Sequence, residues 1–283
     1  MVRLLNRRNG EAFDLSRPLA PTRTFAVASV PRSGSTMLCR VLWDTGGAGA
    51  PDEYLNPSQI RDWEVRLGTS ASSRLGYGLL RGRAVSLAGG RWWGRERLEA
   101  HVARVRERRT DPNGLFGLKI HHHHLEGWFL DRGWPVEKIL APERWVRLVR
   151  EDRLAQAVSW VRALQTWTWV AHRRGYGPSI YSSRQIRGRL AEIERQEAGW
   201  DAFFADRGVE PLQLTYEELV ADVPGVVRRI LGYLGVPGAL SARVAAPDLT
   251  RQADEVNARW IERYRAESTA RAGAAGVAPS SRP

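Results

Sequence analysis

The sequence predicts an α/β fold of three layers, a central parallel sheet flanked by helices, with a P-loop-like phosphate-binding loop. Short apolar runs of strand length, FAVASV (Phe25 to Val30), LFGLKI (Leu115 to Ile120), RWVRLV (Arg144 to Val149) and PLQL (Pro211 to Leu214), alternate with helical patterns. That alternation argues for parallel strands with helices on both faces. The first run passes directly into a short Ser/Gly loop and then a helical pattern. A chain of 283 residues with 43% apolar content is large enough to fill the core of one such domain.

In chain order, residues 1–22 are polar and contain prolines, which predicts a surface arm. Residues 23–267 form the single expected domain. No internal repeat interrupts it, and Gly46 to Gly49 is too short to be a linker. Residues 268–283 (STARAGAAGVAPSSRP) lack an apolar period and are expected to be a disordered tail.

The opening strand leads into Arg32, Ser33, Gly34, Ser35 and Thr36. The helical pattern that follows has Met37, Leu38, Val41 and Leu42 on one face and Gly46 as its cap. A helix N-terminus presents unpaired N–H groups, Gly34 would let the backbone approach an anion, and the hydroxyls add donors. The loop should hold a phosphate or sulfate; the plainer alternative is an ordinary capped turn. A Walker-type ATP loop is disfavoured, because the motif GxxxxGK[ST] lacks both its first glycine and its lysine here.

The net charge of +12 would suit a polyanionic partner. Almost all of it is arginine, scattered among Asp and Glu, with Lys119 and Lys138 the only lysines. No basic tail or basic-aromatic platform argues for nucleic acid. No run of about eighteen apolar residues argues for stable membrane insertion, and the charged start is unlike a secretory leader, so a cytoplasmic protein is expected. Cys39 is the only cysteine, which rules out an intrachain disulfide and a cysteine-based zinc site.

The segment VPRSGSTMLCRVLWDTGGAGAPDEYLNP resembles the phosphosulfate loop, helix and acceptor loop of the bacterial trehalose-2-sulfotransferase family. RLVREDRLAQAVSWVRALQTWTW is similar to that family's 3'-phosphate-binding strand and helix. LTYEELVADVPGVVRRILGYLGV resembles the closing helical segment of sulfotransferases, and TRQADEVNARWIERYR the family's C-terminal cofactor loop. The resemblance runs from Phe25 to Arg265 in family order. It implies a PAPS-dependent sulfotransferase (donor 3'-phosphoadenosine 5'-phosphosulfate, product PAP), a small hydroxylated acceptor, no metal and a homodimer.

By that resemblance, Arg32 to Thr36 grip the phosphosulfate while Arg150 and Ser159 hold the 3'-phosphate. Arg251 and Gln252 close over the nucleotide. A strand-end guanidinium suits a phosphate physically; its plainer role is a surface ion pair with Glu151 or Asp152, and that of Ser159 is a small packing residue. Glu53 falls where the family has its catalytic carboxylate, with a pKa expected to rise near a desolvated anion. His121 competes for the same role, since Lys119-Ile120-His121 resembles the Lys-Thr-His segment of cytosolic sulfotransferases. Lys119 would then support the sulfate, and Trp167 would line the acceptor pocket. The family's acidic sugar contact is replaced by Ala50, which argues against trehalose itself.

The run His121 to His124 invites a metal reading, but four residues on an extended segment alternate faces and would not converge on one ion. Two other classes remain as alternatives: a nucleotide-dependent phosphotransferase, and a basic polyanion-binding protein without catalysis.

Overall fold

A computed structural model describes residues 4, 6–18, 22–69, 94–167, 169, 177–237 and 255–275. Its centre is a four-stranded sheet in the order β2-β1-β3-β4, with β1 at Arg23–Ser29, β2 at Leu115–His121, β3 at Pro142–Val149 and β4 at Leu212–Thr215. Every pair is parallel, with Ser29 opposite His121 on one side and Leu148 on the other. The four strand runs read from sequence are therefore all present, displaced by no more than a residue or two at their ends.

Side chains alternate across the sheet and split the core in two. One face carries Ala26, Ala28, Leu118, Ile120 and Trp145. It packs against α2 (Pro57–Leu67), α3 (Arg95–Arg109), α4 (His122–Trp128), α6 (Arg153–Thr166) and α7 (Ser183–Arg207), with the short α5 (Val136–Ile139) at its margin. The other face carries Phe25, Val27, Val146, Leu148 and Leu214 under α1 (Ser35–Asp44), α8 (Tyr216–Ala221) and α9 (Val223–Tyr233). These are the three layers the alternation implies. Parallel strands put all their C-terminal ends on one edge, so the loops after β1, β2 and β3 meet there.

Three departures from the sequence reading matter. The histidine run is not extended: β2 stops at His121 and α4 begins at His122. The N-terminal arm carries two 3-10 turns at Arg7–Asn9 and Glu11–Phe13 and a buried Asn9, an ordered structure that the surface-arm reading did not include. The last helix, α10, spans Glu255–Ala275 and continues into the segment expected to lack structure.

Candidate active site

The loop after β1 closes with Ser33 N–H donating to Val30 O at 3.3 Å, and α1 starts at Ser35. Its N-cap is Gly34, which has no side chain to cap the first-turn N–H groups, so these are available to an anion. Gly34 sits at φ 88°, and a Cβ there would collide with the Tyr216 ring. The glycine is thus required by a neighbouring aromatic as well as by the turn. Ser33 Oγ is buried without a hydrogen-bond partner, an orphan donor that a bound oxyanion would satisfy. The loop is held from behind by Gln156 Nε2 donating to Pro31 O (2.8 Å) and Trp200 Nε1 to Ser29 O (2.9 Å).

Arg32 adopts φ 67°, a left-handed conformation that costs a non-glycine residue about 1–2 kcal/mol. Its side chain leaves the loop. Nε donates to Ser159 Oγ at 3.0 Å and an Nη to Trp169 O at 2.8 Å. Arg150, just past the end of β3, donates to Arg32 O at 3.4 Å, and its guanidinium lies 4.5 Å over the Tyr216 ring. Its Nε is buried without a partner. Burial, then the neighbouring Arg150 charge, pushes the Arg32 pKa down to about 10. Two guanidinium groups pressed together in this way favour a multiply charged anion between or beside them.

At the end of β2, Lys119 Nζ lies 2.9 Å from Glu53 Oε2 and donates to Thr36 Oγ1 at 3.1 Å. The Lys119 side chain is 3% exposed and that of Glu53 15%. Glu53 Oε1 accepts from Asn56 Nδ2 at 3.1 Å and faces His121 Nε2 at 3.5 Å and His124 Nδ1 at 3.6 Å. The other His121 nitrogen, Nδ1, is 3.0 Å from Ser29 Oγ, an assignment of donor and acceptor that depends on the tautomer. Because the chain turns into α4 at His122, the His121, His123 and His124 rings gather, those of His123 and His124 with centroids 4.0 Å apart. Among the described residues no group of three or more His, Cys, Asp or Glu is arranged to hold a metal ion.

Burial is the largest single influence and opposes the Glu53 charge, but the Lys119 ammonium, His121, His124 and the Asn56 amide together outweigh it. The carboxyl is held well below the usual carboxylate range, which corrects the expected upward shift. Burial, the largest influence on each imidazole, lowers both, His121 to about 3 and His124 well below its ordinary value. Lys119 itself is raised: burial would lower it, and the charge and hydrogen bond of Glu53, with Cys39 and Asp52 adding to them, together prevail.

Glu53, His121, Lys119 and Thr36 thus come together as one polar group, and Arg32, Arg150 and Ser159 as another. The side chain of Arg32 belongs with the second group and not with the rest of its own loop. Arg150 does not pair with Glu151 or Asp152, whose backbone N–H groups are held by Glu217. Trp167 caps α6 at φ 56° and is 51% exposed, and Trp169 O accepts from Arg32 in the arginine group. Arg251 and Gln252 lie outside the described residues. Sequence reasoning missed Tyr216, Asn56, Gln156 and His124. Asn56 had a local signal, an Asn before Pro57 that caps α2, but the others arrive through tertiary contacts.

No helix among the described residues is long and apolar enough to cross a membrane. A family model described as Stf0 sulphotransferase matches residues 24–267 of the chain. The chain is 29% identical to a trehalose 2-sulfotransferase of Mycobacterium tuberculosis, over 87% of this chain and 96% of that protein. It is 30% identical to a trehalose 2-sulfotransferase of Mycolicibacterium smegmatis, over 88% and 96%. Among solved structures it is similar to the sulfotransferase domain of the Synechococcus PCC 7002 olefin synthase, with 21% identity, TM-score 0.40 and coverage of 89% and 90%. It is also similar to sulfotransferase STF9 from Mycobacterium avium, with 15% identity, TM-score 0.47 and coverage of 80% and 67%.

Proposed function

The chain belongs to the Stf0 sulphotransferase family, and from that premise we propose that it moves a sulfuryl group from PAPS to a hydroxyl of a small-molecule acceptor. The observation that carries this reading is the buried Lys119, which joins Thr36 of the anion loop to Glu53 across 3.1 and 2.9 Å. A cation placed between an anion loop and a carboxylate suits a reaction in which one group takes a proton while charge builds on the transferred oxygens.

The first-turn N–H groups of α1, with Ser33, Ser35 and Thr36, bind the phosphosulfate end of the donor. Arg150, Ser159 and Arg32 hold the 3'-phosphate, which separates this donor from ATP. Glu53 accepts the proton of the acceptor hydroxyl as its oxygen bonds to sulfur and the sulfur–oxygen bond to the 5'-phosphate breaks, releasing PAP. Lys119 shifts from Glu53 toward the sulfate as the reaction proceeds. His121, neutral and hydrogen-bonded to Ser29, orients the carboxylate.

The acceptor is a carbohydrate, a glycosylated compound or a secondary metabolite. The curated relatives are named for trehalose, yet Ala50 here is completely buried and offers no polar side chain for a sugar hydroxyl. A different hydroxylated acceptor fits better. The family resemblance adds a homodimer and a cytoplasmic setting to the proposal.

Calorimetric titration with 3',5'-adenosine bisphosphate, AMP and ATP in moderate salt tests it. Strong preference for the bisphosphate supports the donor site and justifies an acceptor screen with PAPS. Equal or absent binding overturns it and favours a phosphotransferase or a polyanion binder.

A further inference from the structure

We propose that the N-terminal arm, through Asn6 and Asp52, is the device that positions Glu53; this rests on the reading of Glu53 as proton acceptor. The arm is anchored from below by cations of the core. Arg109, fully buried, donates to the main-chain oxygens of Arg8 (2.8 Å), Gly10 (3.2 Å) and Phe13. The main-chain N–H of Asn6 donates to the buried Asp62 at 2.7 Å, and Asn9 donates to the same oxygen at 3.1 Å.

So fixed, Asn6 extends Nδ2 to Asp52 Oδ2 at 3.3 Å while its Oδ1 accepts from Arg8 N at 3.1 Å. The other Asp52 oxygen accepts from the Glu53 N–H at 2.7 Å and from Gln59 Nε2 at 3.0 Å. The main-chain oxygen of Asp52 accepts from Lys119 N at 2.9 Å. One residue therefore ties the arm, α2 and β2 to the peptide unit that bears Glu53. Both carboxylate oxygens are committed, so the Asp52–Glu53 peptide has one orientation, and that orientation sets the Glu53 carboxylate against Lys119. Removing the Asn6 tether frees one side of this clamp. A small misplacement of a reacting group is enough to cost a large share of the rate. Asn6 and Asp52 touch no reacting atom; they are positioning residues.

The test is an exchange of partners. N6D sets two carboxylates against each other, and D52N sets two amide NH2 groups against each other. The double variant N6D/D52N restores one donor and one acceptor with their places exchanged, and its second carboxylate oxygen still serves Arg8 N. Each single variant should lower kcat by about ten- to a hundredfold, with the KM for PAPS and the affinity for the bisphosphate unchanged, and the double variant should recover most of that loss. Hydrogen exchange of the amides of residues 52–56, read without any acceptor, should quicken in both single variants and slow again in the double. Wild-type exchange in all four proteins, or a double variant no better than the worse single, overturns the proposal. Failure of the wild type to bind the bisphosphate would remove the sulfotransferase reading instead, and the exchange pattern would still decide whether the arm holds the loop.

Discussion

At one end of the site, Arg32 and Arg150 stand together behind Ser159; at the other, Glu53 and Lys119 meet at 2.9 Å and neutralise each other. The arginine end pushes like charges together, at a cost that a bound anion relieves, and leaves Arg150 Nε without a partner. The carboxylate end is already satisfied by Lys119 and Asn56, so it needs no ligand to be stable. The contrast separates two tasks. In the proposed reaction the first end recognises charge, and the second holds the proton acceptor in its ionised form until a substrate draws Lys119 away.

The largest effect should come from the second end. Glu53→Gln should cut kcat about 10²–10⁴-fold while the bisphosphate still binds in calorimetry, because the arginine end is intact. An active Glu53→Gln enzyme together with a dead His121→Ala enzyme would move the proton acceptor to His121. Next, Arg150→Leu should weaken bisphosphate binding by on the order of a hundredfold and AMP binding far less. Equal losses for both nucleotides would mean that Arg150 does not read the 3'-phosphate.

Lys119→Met sharpens the comparison through pH. With Lys119 present, Glu53 stays ionised well below the usual carboxylate range, so the acid limb of the rate profile should fall there. Without Lys119, burial dominates and raises the carboxyl, so the acid limb should move to higher pH. An unmoved limb in the variant would show that Glu53 is not the titrating group. The smallest effect is expected for Gly34→Ala. The left-handed turn and the collision with Tyr216 should cost about 1–3 kcal/mol, read as a lowered denaturation midpoint, with bisphosphate affinity falling as the Tyr216 ring is displaced from under Arg150.

The two ends also differ in how far the sequence revealed them. The strands were legible because β-branched and aromatic runs bounded by turn residues have few other uses, and FAVASV before Pro31 located the anion loop directly. Glu53, Lys119, Arg150 and Ser159 were legible by resemblance in motif order, and the structure does gather them in two groups. The destination of the Arg32 side chain was not legible, since a loop position says nothing of a serine over a hundred residues away. The histidine run misled because a string of identical polar residues carries no period. Leu125 and Trp128, both buried and three apart, were the helical signal that was overlooked. The anchoring of the arm was missed for another reason: Arg109 holds it by main-chain oxygens, which every sequence has.

The position of β1 has a consequence for how this molecule comes into being. β1, the first strand among the described residues, is an interior strand, with Arg23 paired to Leu115 and Phe25 to Arg144. Neither neighbour exists when it leaves the ribosome, and pairing requires closing loops whose entropic cost is met before any reward. The anion loop that follows β1 is therefore synthesised early and shaped late: Gln156 and Trp200 brace it, and Tyr216 fills the space beside Gly34, only after most of the chain has emerged. Until then the nascent chain carries the loop sequence without the contacts that give it its shape.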